Sequence, residues 1–369
     1  MLTSDQNRKI NEIVEEFKEA ADFYRMEYSE DLMGMFRDFG CMLLLKCKVD
    51  TEGKADLERL LEGRHKLKGT VKRQLMTVSE ELAQLWAPGE QDGSGDTGEY
   101  EGSQNVREMF QTALEEIFHF CLYSKGGKNR YLLPEETAKP LLRLLTFPEG
   151  MMAGNEGLVV LDTQCGAGSA LMAASRYLKN LRLMGYEKDE EMWAAAVIMS
   201  QLSGLEMELH LEDGARADLY ESCDLVISNP VYGTDTIKDE ELIDQLPGEL
   251  KTVRGRYHME LIRSMQALNF DGKAMLIVPN SFLFANRTES MKVRKWLLQS
   301  YSLEAIISLP EDTFMYSGVR SGVMVFSKPF MSGGWEGHTQ RVLYYNLEKQ
   351  EDKEKQQKEY ERLEEVWSQ

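Results

Sequence analysis

Several patterns that would assign a chain to a class at once are missing from this sequence of 369 residues. Its five cysteines form no CxxC pair and its five histidines include no HExxH motif, so no zinc site is indicated. Neither a signal peptide nor an apolar run of membrane-spanning length occurs. These absences predict a cytoplasmic protein with reduced thiols, no metal and no membrane association.

Positive charge is also scarce. Lys and Arg number 43 against 62 Asp and Glu, which gives a formal net charge of −19. A protein that binds nucleic acid unaided is usually basic, because contacts to phosphates supply most of its affinity. The acidity therefore counts against tight unaided binding to DNA, but it is compatible with a local basic groove or with a DNA-binding partner.

The first third of the chain has the periodicity of helices. In residues 7–28 apolar side chains recur at helical spacing and predict one buried face, formed by Ile10, Ile13, Val14, Phe17, Ala21 and Tyr24. No strand-like alternation occurs in residues 5–86. Residues 87–104 are rich in Gly and acidic residues, which predicts a flexible loop. We therefore predict an all-helical N-terminal domain over residues 1–124.

The pattern changes near residue 157. Short apolar runs rich in β-branched residues follow, and helical segments separate most of them: GLVVLD, LRLMGYE, MELHLED, DLVISNP, KAMLIVPN and LEAIISLP. Strands that alternate with helices predict an α/β domain, over residues 125–347, whose mostly parallel sheet binds ligands at the carboxyl ends of its strands. The later runs GVMVFSKP and RVLYYNLE predict two more strands, one of them antiparallel at an edge. Residues 348–369 predict a charged helix, either solvated or docked on a partner.

Polar elements follow the first two predicted strands. The first strand ends at Asp162, and Gly166 and Gly168 lie in the loop that opens the next helix. Glycines there let the backbone approach a ligand closely at a helix N-terminus, which offers free N–H donors. Glu187 ends the second strand, where a carboxylate is placed to accept hydrogen bonds from both hydroxyls of a ribose.

Two further elements follow the third and fourth strands. Asp213 could accept a hydrogen bond from an adenine amino group, although a turn-forming Asp before Gly214 explains it equally well. The run from Asn229 to Tyr232, NPVY, suits a pocket for a planar amide or amine. Together the four elements predict one site for S-adenosylmethionine rather than NAD, because Asn-Pro-x-Tyr has no role in hydride transfer but fits an amine acceptor.

Residues 125–330 resemble the adenine-N6 DNA methyltransferases of the type I restriction-modification methylation-subunit family. LDTQCGAGSALM is similar to that family's Asp-Pro-Ala-Cys-Gly-Ser-Gly loop, and ISNPVYG to its Asn-Pro-Pro-aromatic motif. The resemblance implies a Rossmann-like S-adenosylmethionine-dependent methyltransferase fold after a helical N-terminal domain. It also implies a cofactor site formed by Asp162, Cys165, Gly166, Gly168, Glu187, Asp213 and Asn229.

The same resemblance implies methyl transfer to N6 of adenine in DNA. The Asn229 side-chain oxygen and the Pro230 carbonyl would accept the two amino hydrogens, and Tyr232 would stack on a base flipped out of the duplex. No metal takes part in this chemistry. Sequence specificity would come from a separate DNA-specificity subunit, and an oligomer is compatible with the sequence. Candidate contacts to DNA phosphates are Lys251, Arg254, Arg256, Arg287, Lys292, Arg294 and Lys295.

The chain departs from the family pattern at three places. Ahead of the cofactor loop, Leu132-Leu133-Pro134 stands where an aromatic-Thr-Pro is usual. Val231 stands where the second proline is usual, and Thr163-Gln164 stand for Pro-Ala. Without the second proline the direction of the Pro230 carbonyl is less restrained, which costs about 0.4–1 kcal/mol of preorganisation. A cost of this size lowers the rate about fivefold or less, so we predict a weakened but working site. Two alternatives stay open: an RNA base or a protein glutamine as acceptor, and a non-enzymatic subunit that binds a partner.

Overall fold

A computed structural model describes most of the chain, namely residues 2–29, 31–49, 55–62, 67–86, 97–124, 132–145, 157–219, 222–233, 235–311, 313–314, 319–328, 341–350 and 352–367. The chain divides into two compact units. We call Met1–Arg130 with Glu190–Glu206 the helical unit, and Tyr131–Asp189 with Met207–Gln369 the sheet unit. The boundaries that we predict from the sequence, after residues 124 and 347, stay predictions.

The helices of the described residues are, in chain order, α1 (Ser4–Glu27), α2 (Met33–Lys46), α3 (Ala55–Glu62), α4 (Gly69–Ala83), α5 (Thr97–Leu122), α6 (Glu135–Arg143), α7 (Ser169–Tyr177), α8 (Glu190–Ser203), α9 (Glu240–Asp244), α10 (Arg256–Gln266), α11 (Asn280–Phe284), α12 (Thr288–Ser300) and α13 (Lys353–Trp367). A short 3₁₀ helix covers Gly248–Leu250. None of the helices in these residues is long and apolar enough to cross a membrane.

The helical unit confirms the apolar face predicted for α1. All six residues of that face are buried. Thr3 begins the helix with a capping box, in which it accepts a hydrogen bond from the Gln6 N–H and donates its own N–H to the Gln6 side chain. Helix α8 comes from the later part of the chain, and it packs within the helical unit on α2 and α3. Each side chain from Met192 to Met199 is buried.

One segment differs from the sequence prediction. We expect a flexible loop over residues 87–104, but α5 begins at Thr97 and includes residues 97–104. A helix thus extends into a segment whose composition alone suggests disorder. Residues 87–96 lie outside the described residues.

Within the described residues, the sheet unit contains eight strands: β1 (Leu158–Asp162), β2 (Leu181–Glu187), β3 (Met207–Leu211), β4 (Cys223–Ser228), β5 (Leu268–Pro279), β6 (Ser302–Ser308), β7 (Ser321–Ser327) and β8 (Leu343–Asn346). Their order in the sheet is β3-β2-β1-β4-β5-β7-β6-β8. Strands β1 to β5 are parallel, β7 is antiparallel to both β5 and β6, and β8 is parallel to β6.

The sequence led us to expect an antiparallel strand at an edge of the sheet, but the antiparallel strand lies inside the sheet. β7 lies between β5 and β6, and all its residues except the last are buried. A strand that is covered on both faces and paired on both sides shows no alternating pattern, so its sequence does not reveal its position. The edge is formed by β8, whose residues alternate between half-buried and exposed.

The C-terminal helix lies on the sheet unit itself. Leu363 of α13 is fully buried, α13 contacts α6, and Arg143 forms an ion pair of 3.1 Å with Glu364. The two options left open by the sequence were a solvated helix and a helix docked on a partner. The structure instead has α13 packed on its own chain.

The strand order creates a crevice in the middle of the sheet. From β1 the chain moves outward through β2 and β3, and it then returns to place β4 on the other side of β1. Open α/β sheets bind their ligands at such a reversal of strand order, beyond the carboxyl ends of the strands. The motifs identified in the sequence lie at these ends.

Candidate active site

The loop after β1 is tightly folded around its own polar groups. The Asp162 Oδ1 accepts a hydrogen bond of 3.0 Å from the Gln164 N–H. Gly166 and Gly168 have φ angles of 55° and 79°, in the left-handed region that favours glycine. Cys165 packs on the neighbouring strand, where a Cβ added to Gly185 would lie 2.8 Å from its Sγ.

The structure brings two predicted elements into direct contact. Glu187 Oε2 accepts a hydrogen bond of 3.0 Å from the Gly166 N–H, and Oε1 accepts one of 2.7 Å from the Asp189 N–H. A carboxylate offers about four acceptor positions, so these two bonds leave Glu187 able to accept more. The acidic end of β2 and the glycine loop after β1 therefore form one unit of structure.

Burial shifts the protonation of this loop. Burial raises the pKa of Asp162 to about 7, and the nearby charge of Glu187 adds to the effect. Burial also raises the pKa of Glu187 itself, although hydrogen bonds from backbone N–H groups oppose the shift. The pKa of the Cys165 thiol lies well above its usual range for the same reason, so this thiol is protonated at neutral pH. The carboxyl groups of Asp162 and Glu187 are thus close together and poorly hydrated.

The loop after β3 packs against the loop after β1. A Cβ added to Gly214 would lie 2.2 Å from the Thr163 carbonyl oxygen, so only glycine fits there. Asp213 Oδ1 accepts a hydrogen bond of 3.2 Å from the Ala215 N–H, which is the turn-forming role that the sequence left open. Asp213 Oδ2 accepts a bond of 3.0 Å from Arg256. Its contact with an adenine amino group stays a prediction.

Helix α10 supports the loop after β3 with side chains whose role here sequence reasoning missed, since it named Arg256 only as a phosphate contact and did not name Glu260 or Ser264. Arg256 also lies 3.3 Å from Glu260 Oε1, and burial raises the pKa of Glu260 to about 7 although the charges of Lys188 and Arg256 lower it. One turn further on, Ser264 Oγ lies 2.5 Å from Thr163 Oγ1. Arg256 and Glu260 are spaced to meet on one helix face, and that spacing was the available signal.

The fourth element lies on the adjoining strand. β4 ends at Ser228, and its parallel register with β1 pairs Leu161 with Val226. Asn229 follows β4 directly, so it lies at the carboxyl end of the strand that pairs with β1. Asn229 is half-buried, Pro230 is buried and Val231 is 49% exposed.

The ring of Tyr232 is fixed from two sides. It meets the Tyr257 ring edge-to-face, with 5.7 Å between the ring centroids. Its hydroxyl donates a hydrogen bond of 3.4 Å to Ser321 Oγ at the start of β7. The aromatic of the Asn-Pro-x-Tyr motif is thus held by α10 and by a strand more than eighty residues later in the chain.

Most of the candidate phosphate contacts have partners within the chain. Arg294 donates to the carbonyl oxygens of Phe282 and Ala285. Others form ion pairs or hydrogen bonds in the sheet unit: Lys251 with Asp244, Lys292 with Thr252, Arg254 with the Lys251 and Val253 carbonyls, and Arg256 with Asp213 and Glu260. Arg287 and Lys295 are exposed and form no ion pair among the described residues. In the same part of the chain, no three His, Cys, Asp or Glu side chains are arranged to hold a metal ion.

Comparison with known proteins agrees with this architecture. The type II restriction enzyme and methyltransferase RM.BcgI of Heyndrickxia coagulans is 26% identical over 213 residues, which are 53% of this chain and 31% of that protein. The type I restriction enzyme MjaVII methylase subunit of Methanocaldococcus jannaschii is 24% identical over 298 residues, 74% of this chain and 47% of that protein. The matches thus span 31% and 47% of the length of these two relatives, less than half in each case.

A solved structure and a family model complete the comparison. A Listeria monocytogenes protein provisionally assigned to the class I S-adenosylmethionine-dependent methyltransferases superimposes with a TM-score of 0.67 at 18% identity, covering 98% of this chain and 100% of that one. This likeness confirms the predicted fold. The family model described as N-6 DNA Methylase matches residues 107–367, well over half of the sequence. The chain therefore belongs to the N-6 DNA methylase family.

Proposed function

We propose that this chain transfers a methyl group from S-adenosylmethionine to N6 of adenine in DNA, as the modification subunit of a restriction-modification system. One observation carries the proposal. The Gly166 loop, which Glu187 contacts at 3.0 Å, and the Asn229-Pro230-Val231-Tyr232 motif lie at adjoining strand ends, where the strand order reverses. Family membership and the names of the two restriction-system relatives support the choice of acceptor.

The residues around the β1 loop fit an adenosyl cofactor. Gly166 and Gly168 leave room for a ligand next to the backbone, and Glu187 has acceptor capacity left for ribose hydroxyls. The Gln164 Oε1 is buried and makes no hydrogen bond within the described residues, so a polar ligand would satisfy it. When bound, the cofactor supplies an activated methyl group on a cationic sulfonium. Burial raises the pKa of both Asp162 and Glu187, and a sulfonium cation bound beside them would favour their charged forms.

The remaining cofactor contacts follow from the family motif. Cys165 packs against Gly185 of β2, whereas Asp213 follows β3, the neighbour of β2, and Asn229 follows β4, the neighbour of β1. Asp213 already accepts two internal hydrogen bonds. We therefore propose that Asp213 uses a remaining lone pair for the adenine of the cofactor.

Asn229, Pro230 and Tyr232 would act on the acceptor. The Asn229 side-chain oxygen and the Pro230 carbonyl accept the amino hydrogens of adenine, which draws electron density toward N6 and directs its lone pair at the methyl group. Tyr232 stacks on the base, and its contacts with Tyr257 and Ser321 fix the angle of the ring before any base arrives. Catalysis then rests on positioning and on fixed dipoles.

We also propose that a separate subunit supplies DNA specificity. The net charge of −19 disfavours unaided DNA binding, and most basic side chains near the site are bound to groups of the chain itself. The relative from Methanocaldococcus jannaschii is itself described as a methylase subunit.

The test is methyl transfer from tritiated S-adenosylmethionine to DNA, with and without a specificity partner, and with RNA and protein as parallel acceptors. We expect N6-methyladenine in DNA, and a loss of about a hundredfold or more in Asn229→Ala. The matched control is Asn11→Ala on the exposed surface of α1, which should keep full activity. The proposal fails if DNA receives no methyl group under any partner condition, or if Asn229→Ala is as active as the control.

A further inference from the structure

Within the described part of the sheet unit, the buried polar atoms without a partner gather near the carboxyl ends of the central strands. Among its described residues, the side-chain atoms that are buried without a hydrogen-bond partner are Gln164 Oε1, Ser228 Oγ, Tyr257 Oη and Asn280 Oδ1. They lie after β1, at the end of β4, in the first turn of α10 and directly after β5. A buried polar atom without a partner costs about 1–3 kcal/mol, so such a concentration calls for an explanation. A polar ligand at these strand ends would supply the missing partners.

Tyr257 lies against the proposed acceptor site. Its side chain is almost fully buried, with 6% exposed, and its ring contacts Tyr232 at 5.7 Å and Phe282 at 5.9 Å between centroids. Burial raises the pKa of Tyr257 well above its usual range, and the nearby Tyr232 and Glu260 reinforce the shift. The hydroxyl therefore keeps its proton and is a hydrogen-bond donor without an acceptor among the residues that the structure describes.

Asn280 is connected to Tyr232 through the start of β7. Its N–H donates a bond of 2.8 Å to the Arg320 carbonyl, and the preceding residue, Pro279, pairs with Ser321. The hydroxyl of Tyr232 is bound to that same Ser321. A side-chain amide carries both donors and an acceptor, so Asn280 can bind a ring edge in either orientation.

We propose that Tyr257 and Asn280 form a subsite for the ring edge of the acceptor base, in which the Tyr257 hydroxyl donates to a ring nitrogen and the Asn280 amide binds beside it. The inference rests on the proposed function and deepens it. Asn229 and Pro230 recognise only an amino group, which adenine, cytosine and glutamine all carry. A donor aimed at a ring nitrogen adds the distinction between a heteroaromatic base and an amide.

Two matched variants measure the state of the hydroxyl in the free protein. Tyr257→Phe removes a hydroxyl without a partner, whereas Tyr301→Phe removes one that donates 2.8 Å to the Met265 carbonyl. Both tyrosines are buried. We expect the melting temperature to rise or stay level in Tyr257→Phe and to fall in Tyr301→Phe. An equal fall in both would mean that the Tyr257 hydroxyl is bonded internally, which overturns the proposal.

Binding of adenosine then tests the ligand. The protein is saturated with S-adenosylhomocysteine, and adenosine at millimolar concentration is titrated by saturation-transfer NMR, so no DNA target is needed. We expect Tyr257→Phe to weaken adenosine binding about five- to tenfold, while Tyr301→Phe binds as the wild type does. Asn280→Ala should weaken it as well. Equal affinities in wild type and Tyr257→Phe, or no adenosine binding by the wild type, would falsify the subsite.

Analogues identify the ring atom. We compare 1-deaza-, 3-deaza- and 7-deazaadenosine with adenosine. The analogue that lacks the nitrogen bound by Tyr257 should bind the wild type as weakly as adenosine binds Tyr257→Phe. In Tyr257→Phe the same analogue and adenosine should bind with equal affinity. If the substitution Tyr257→Phe weakened the binding of all three analogues by the same factor as it weakens adenosine binding, the proposal would be contradicted. The outcome is independent of DNA methylation: transfer to DNA with no dependence on Tyr257 sinks only the subsite. Adenosine binding that depends on Tyr257 without transfer to DNA sinks only the proposed reaction.

Discussion

At the scale of single residues, Val231 is the clearest departure from the family motif. Its side chain is 49% exposed, so little packing depends on it. A proline at this position would restrict Pro230 to extended geometry and fix the direction of its carbonyl. The sequence alone identifies this substitution, because it lies within a short motif whose order is known.

We expect Val231→Pro to increase the rate of methyl transfer by up to about fivefold, because it restores that restraint. The matched control is Val231→Ala, which keeps the backbone N–H and removes the β-branch, and it should lower the rate slightly. Single-turnover kinetics with excess enzyme would measure both. A large loss of rate in Val231→Pro would mean that the Val231 N–H has a role that the proline abolishes.

Buried carboxyl groups give the protein a predictable response to pH. Burial raises the pKa of Glu260 from 4.5 to about 7, and that of Asp162 from 3.8 to about 7. An acid with a higher pKa in the folded state binds its proton more tightly there, so the free energy of unfolding falls as pH rises through this window. Above about pH 7 both groups have ionised and the effect is complete.

We therefore expect the melting temperature to fall as pH rises from about 4.5 to 7, and Glu260→Gln to flatten this fall in part. Asp162→Asn should remove another part, and the double variant should be flatter than either. Differential scanning calorimetry across the window measures the slopes. Parallel curves for wild type and Glu260→Gln would show that Glu260 is not responsible.

Residue identities at the strand ends are visible in the sequence, but their partners are not. Asp162, Gly166 and Glu187 follow from short local patterns, and Gly166 and Glu187 do meet. The bond from Arg256 to Asp213 spans 43 residues, and neither residue carries a pattern that names the other. Pairing across such a distance is set by the fold, so only the three-dimensional structure reveals it.

At the scale of elements, the two arginines around α12 have different tasks. Arg287 precedes the helix with an exposed side chain, whereas Arg294 within it donates to the Phe282 and Ala285 carbonyls that close α11. Both looked like phosphate contacts in the sequence, because a basic residue on a helix gives no sign of which way it turns. The structure separates the two.

We expect Arg287→Ala to weaken DNA binding and to reduce the salt dependence of binding by about one phosphate contact, with an unchanged melting temperature. Arg294→Ala should instead cost about 1–3 kcal/mol of stability, because two partly buried carbonyls lose their donor. Fluorescence anisotropy with duplex DNA over a range of KCl, alongside thermal unfolding, separates the effects. Identical behaviour of the two variants would contradict this division.

At the scale of the whole molecule, the two units do not follow the order of the chain. Its α/β alternation and its helical first third are legible in the sequence, since each has its own period of apolar residues. The assignment of α8 to the helical unit is not, because α8 occupies the usual place of a crossover helix between β2 and β3. Helix α8 carries apolar residues of its own on nearly all sides, which indicates that it is buried but not which elements it packs on.

A fragment that starts at residue 125 should therefore fold poorly, although it contains every strand. It retains α8 but lacks α2, on which α8 packs, and so exposes a large apolar surface. We expect aggregation in size-exclusion chromatography and a weak near-UV circular dichroism signal. Co-expression of residues 1–124 as a separate chain should restore a compact complex. A monomeric fragment with cooperative unfolding would show that α8 needs no partner from the first segment.

The interleaving of the units also sets a timetable for synthesis. A ribosome releases the chain from its N-terminus, yet the helical unit is complete only when Glu190–Glu206 has emerged, after β1 and β2. The surface of α2 and α3 that α8 covers therefore stays exposed on the nascent chain while β1 and β2 are being synthesised. Chaperones that hold emerging chains would therefore find their clearest opportunity on this protein during that interval.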